Sequence, residues 1–212
     1  MDERQASAWI SDARLGPFLA ASDGDRHLAV ALYEWHTRLG SSCFATVQHF
    51  EVLLRNAIDA ELGRGQPQNP IPETWLMDFR VLQPNGVKQV IIAAERLEKG
   101  KEITRGRVVA GVSFGFWAGL FAKEYEELWR QRLRSVFPYG AVMRKDLTQP
   151  MRLIQRFRNR LAHHDCLLSQ DPGRRVADMH RIAGLIDPAA ADWIADQCQV
   201  EAVMSNRPRE VE

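Results

Sequence analysis

Arg158, Asn159, His163 and His164 stand within about two helical turns of one another in the run Arg158-Asn159-Arg160-Leu161-Ala162-His163-His164-Asp165. Cutting a phosphodiester without a metal needs a group that moves a proton near neutral pH, a fixed cation beside the crowded phosphate, and something to hold the imidazole in place. Histidine, arginine and asparagine supply these in turn. The Arg-x4-His spacing discriminates poorly by itself, because a chain rich in arginine produces it by accident. The competing reading is a solvated basic helix face.

At about 100° per residue, Leu153, Ile154, Phe157 and Leu161 fall on one side of a helix over roughly residues 149 to 165, with His164 among them. That side is expected to face the core. Arg152, Gln155, Arg156, Arg158, Asn159 and His163 fall on the remaining sides, Arg160 sits on the flank, and Asn159 and His163 are neighbours four apart. His163 is therefore the expected proton carrier and His164 a packed, supporting residue. Arg158 lies further round, where it reaches the same phosphate or serves a site shared with a second subunit. Arg152, Arg156 and Arg160 are the expected RNA-binding cations.

A second helix must position the first. Phe44, Val47, Phe50, Leu54, Ile58 and Leu62 predict a helix from about Ser42 to Leu62, with Glu51 inside its apolar stripe and Arg55 at the edge. Unpaired charges there are costly. Either the two pair and order the bundle, or this helix packs against the motif helix and Glu51 steers Arg55 or Arg158 toward a phosphate. Asn56 is more exposed by angle, so it lines a cleft or a subunit contact.

The Arg-Asn-x-x-Ala-His-His run, with Glu51-Val52-Leu53-Leu54-Arg55-Asn56 upstream and Ser113-Phe114-Gly115-Phe116-Trp117 between, resembles the Abi-like (abortive infection) proteins of bacteria, within the HEPN superfamily. The resemblance spans about Trp9 to Met204, and three ordered motifs are more specific than one spacing. It implies an all-α, HEPN-like helical bundle with additional helices, commonly dimeric. In active members the Arg-x4-His motif makes a metal-independent endoribonuclease of phage defence or a toxin system; other members have no shown activity. By position, Arg158, Asn159 and His163 correspond to the motif. The implied partners are RNA, a second copy, and an antitoxin or other defence protein; no metal or cofactor is called for. His36 departs from the pattern, where asparagine is expected. A second enzyme class comes from His164-Asp165, which resembles the doublet of metal-dependent phosphohydrolases, although the other histidines are scattered singly.

The remaining sequence fits such a domain without choosing a function. The chain has 212 residues, 45% of them hydrophobic, and a net charge of +1, enough for one domain over 1–204 followed by a polar tail at 205–212. Basic residues, Arg144 and Lys145 included, gather on or just before the motif helix. Cys43, Cys166 and Cys198 are odd in number and lack metal spacing, and no secretory signal or apolar span is recognisable, so a cytoplasmic protein with no membrane contact is expected. Further helices are predicted from Ser11, from Asp23 or Asp25 to Leu39, and over about 86–99, 105–122, 124–136, 174–186 and 188–199, with an irregular connection at 63–85. Pro150 is expected in the first turn of the motif helix. Trp35, Trp75, Trp117, Trp129 and Trp193 read as core residues; His27, His49 and His180 read as surface or satisfied core histidines.

Overall fold

The computed structural model describes residues 9–97 and 102–209. Ser11 caps a first helix, α1 (Asp12–Ala20), and Asp25 starts the longest one, α2 (Arg26–Leu62). The Asp25 carboxylate accepts hydrogen bonds from the backbone N–H groups of His27 (2.8 Å) and Leu28 (3.1 Å), satisfying donors left over at a helix start. The break expected between Leu39 and Ser42 does not occur, and α2 runs unbroken for 37 residues. Glycine inside a helix costs about 1 kcal/mol, but buried Leu39, Cys43 and Val47 carry the apolar stripe across Gly40. Full burial of a leucine or valine contributes about 1.5–3 kcal/mol, so packing outweighs propensity. The Thr37 and Ser41 hydroxyls donate to the carbonyls of Tyr33 and Thr37 (both 3.0 Å) and stay within the helix.

After 3-10 turns at Ile71–Glu73 and Trp75–Met77 come α3 (Pro84–Glu95), α4 (Arg105–Gly111), α5 (Phe114–Gly119), α6 (Glu126–Gln131), α7 (Arg144–Ala162), α8 (Pro172–Ile186), α9 (Pro188–Asp196) and α10 (Val200–Ser205). All regular structure among the described residues is helical. No helix there is long and apolar enough to cross a membrane. α2 is the spine, touching α1, α5, α7, α8, α9 and α10. Buried Arg105 pins the connection that follows it, pairing with Asp59 (3.1 Å) and donating to the carbonyls of Gly63 (3.2 Å) and Pro67 (3.2 Å).

Elsewhere packing redraws the expected boundaries. The helix expected over 105–122 splits because Val112 and Ser113 are extended, which lets Phe114, Phe116 and Trp117 all bury instead of sharing one stripe. The region 124–136 keeps only α6 as α-helix, between 3-10 turns at Lys123–Tyr125 and Leu133–Val136. α3 ends at Glu95, and residues 98 and 99 of the expected helix lie outside the described residues. Before the polar tail, Trp35 Nε1 donates to the Val203 carbonyl (2.7 Å), and in the exposed tail the Arg207 guanidinium lies 5.5 Å from the same ring centre. Residues 210–212 of that tail, and 1–8 of the expected domain, are not among the described residues.

α7 starts earlier than expected, at Arg144, so Pro150 lies inside it and not in its first turn. Asp146 accepts from the Met143 N–H (3.1 Å), and Arg144 is committed to Glu126 (2.6 Å) and the Phe121 carbonyl (2.9 Å). Arg144 is thus a docking residue and not part of a free basic patch.

Candidate functional site

α7 ends in a hydrogen-bonded cap that sets the fate of both histidines. Ala162 is its last residue and His163 the cap; the His164 N–H donates to the Leu161 carbonyl (3.1 Å) and the Asp165 N–H to that of Arg160 (2.8 Å). This is a Schellman closure, which places its next residue in the left-handed region. His164 occupies that position with φ 55°, and its side chain is exposed, as is that of His163. The expectation that His164 packs among Leu153, Phe157 and Leu161 is therefore corrected: the helix ends two residues before it, so helical phase no longer applies. Leu153 is itself only partly buried, and the buried stripe is Leu147, Met151, Ile154, Phe157 and Leu161.

Two residues that spacing could not reveal hold this turn. Arg14 of α1 donates to the His164 carbonyl. His36 of α2 is buried, its Nε2 accepts from the Leu167 N–H (3.0 Å), and its ring meets Phe18 edge-on at 5.2 Å. Burial, reinforced by the Arg14 charge, holds the His36 imidazole below its ordinary pKa, against a hydrogen bond to the Asp165 backbone. His36 is thus a clamp between α2 and this turn. Its contact lies 131 positions along the chain, beyond any local pattern.

On α7 itself, Arg152, Arg156, Asn159, Arg160 and His163 are exposed. None of the three arginines has an ion pair or hydrogen-bonded acid among the described residues. Arg152 to Arg156 and Arg156 to Arg160 are like-charge pairs four apart, an arrangement that costs a few tenths of a kcal/mol each and is relieved by an external anion. Arg158 points the other way. It is half-buried against α2, its Nε 3.7 Å from a Glu51 carboxylate oxygen, an ion-pair contact too long for a hydrogen bond. Its expected place on the polar side is corrected by the buried stripe, which it adjoins. Arg158 is thus half-buried against α2, whereas His163 is exposed at the cap.

Glu51 shows which arginine it approaches. It pairs across helices with Arg158 and not along its own helix with Arg55; burial raises its carboxyl pKa above the usual range, against the charges of Arg158 and Arg55. Arg55 Nε is buried without a hydrogen-bond partner, while Asn56 is exposed. The aromatic motif completes the cradle: Phe50 and Phe114 rings lie 6.3 Å apart, and a Cβ on Gly115 would come within 2.8 Å of the Gln155 amide nitrogen of α7. A side chain at 115 would therefore have to displace the end of the Gln155 side chain. The three sequence motifs, distant in the chain, thus meet around α7.

The other aromatic and histidine readings divide. Trp35, Trp75, Trp117 and Trp129 are buried, but Trp193 is half exposed, its ring 4.7 Å from that of His49. Among the described residues no three His, Cys, Asp or Glu side chains gather into a metal-binding group, and His164-Asp165 is a turn without further ligands beside it. No family model, curated protein or solved structure matches the chain.

Proposed function

We propose that this chain is a metal-independent endoribonuclease of the HEPN type, acting in phage defence or as a toxin, with His163, Asn159 and Arg158 as its catalytic residues. The observation that carries this reading is the exposed band of α7, where His163 and Asn159 lie beside Arg152, Arg156 and Arg160, cations with no acidic partner among the described residues. Such a band binds phosphates in a chain whose net charge is only +1. His163 takes the proton from a ribose 2′-hydroxyl as its oxygen attacks the adjacent phosphorus; the bond from phosphorus to the 5′-oxygen breaks, and His163 returns the proton to that oxygen. The products are a cyclic phosphate and a free 5′-hydroxyl. Asn159 orients the imidazole or the phosphate, and an arginine stabilises charge on the phosphoryl oxygens.

In this proposal a homodimer packed near α7 supplies Arg158 of one subunit, through its exposed part, to His163 of the other. Labelling of RNA products is the test: free 5′-hydroxyl ends generated in the presence of a chelator support the reading, and intact RNA contradicts it. The Glu51 contact also favours a second reading, a binding or dimerisation module without catalysis, since an arginine already neutralised by a half-buried carboxylate has less charge to offer a phosphate. Tight RNA binding without any cleavage would distinguish it.

A further inference from the structure

The cap that closes α7 also builds a cleft. Its volume is about 700 Å³, between α1 and the turn after α7, with Pro17 and Leu168 on its walls and Arg14, Arg160, Asp165 and Ser169 supplying polar groups. Arg160 and Asp165 are locked together through their backbones (2.8 Å), yet neither side chain has an ion pair or hydrogen bond among the described residues. A cation and a carboxylate that line one cleft without pairing are both free to bind something else. The Arg14 guanidinium donates to the His164 carbonyl, which leaves Asp165 as the acidic residue without a side-chain partner lining a volume within the range of small-molecule sites.

We propose that this cleft is a guanine-reading subsite for single-stranded RNA, next to the scissile phosphate. This rests on the endoribonuclease reading above. Guanine is the base that offers two adjacent donors, N1–H and the exocyclic amine, to the two oxygens of one carboxylate, and single-stranded RNA is read by splaying bases out and bonding such edges. Asp165 accepts those two hydrogens, apolar walls flank the base, and Arg160, which belongs to both the cleft and the exposed band of α7, takes the connecting phosphate. The base is thereby tied to a backbone that passes His163 three residues away on the same helix end.

The experiment measures binding, in protein carrying His163→Ala so that RNA survives, with labelled oligoadenylates containing no guanosine, one guanosine or one inosine. One guanosine should tighten binding about tenfold; inosine, lacking the amine, should lose most of that gain. Asp165→Asn, at an exposed position, should erase the preference with an unchanged melting temperature, and Arg160→Gln should weaken all three RNAs alike. Equal affinities, or a preference that survives Asp165→Asn, overturn the proposal. So does guanosine monophosphate binding as tightly as the guanosine oligomer, which would mark a free-nucleotide site. If parent protein cleaves RNA but shows no guanine preference, the subsite falls and the nuclease stands. Guanine preference in a protein that never cleaves leaves the subsite standing and removes the nuclease.

Discussion

His163 and His164 are adjacent but held in different backbone conformations, the first ending α7 and the second in the left-handed region at φ 55°. A non-glycine residue there costs about 1 kcal/mol or more. His164→Gly should therefore raise the melting temperature by a few degrees, and His164→Val should lower it, as differential scanning calorimetry would record; equal melts would mean the turn carries no strain. His36 makes the opposite contribution. Removing it leaves the buried Leu167 N–H unsatisfied, so His36→Ala should cost about 1–3 kcal/mol in denaturant unfolding. Because its folded pKa is depressed, its contribution is present above the unfolded value of about 6.5 and lost as pH falls through the folded one. Parent protein should thus lose stability on acidification through that window more steeply than His36→Ala; parallel pH profiles would contradict the clamp.

At the scale of elements, helical periodicity made most of the helices legible, including Asp25 as a cap, while the meeting of three motifs around α7 came only with the packing. It failed where tertiary packing decides: the stripe that crosses Gly40, the split at Val112, and Arg158, whose inward turn depends on Glu51 from another helix. Clamps such as Arg14 and His36 have no local signature at all. The Glu51 contact is testable through its pH dependence. Its folded pKa is raised mainly by burial, so the stability it contributes is present below the ordinary glutamate value of about 4.3 and lost as pH rises through the folded pKa. Relative to parent protein, Glu51→Gln should gain melting temperature as pH rises across that range, and a constant difference would show that Glu51 is not the group titrating. The exposed band has its own signature: with Arg152, Arg156 and Arg160 all changed to Gln, the salt dependence of single-stranded RNA binding should flatten by about 2 in log–log slope. An unchanged slope would make these arginines a solvated face.

For the whole molecule, the proposed mechanism pairs Arg158 of one subunit with His163 of the other, so it predicts a composite site in a dimer. Arg158→Ala and His163→Ala proteins, each inactive alone, should recover about a quarter of parent activity when unfolded and refolded together in equal amounts, since half the dimers are mixed and each holds one intact composite site. No recovery from a mixture shown to contain mixed dimers would confine the site to one subunit.

The central claim is that His163 drives RNA cleavage without a metal, and single-turnover cleavage of single-stranded RNA in excess chelator tests it most directly. Parent protein should cut and leave 5′-hydroxyl and cyclic phosphate ends, while His163→Ala, with the same melting temperature, should be slower by at least about 100-fold. Cleavage that needs added metal, or that proceeds undiminished in His163→Ala, would contradict the account.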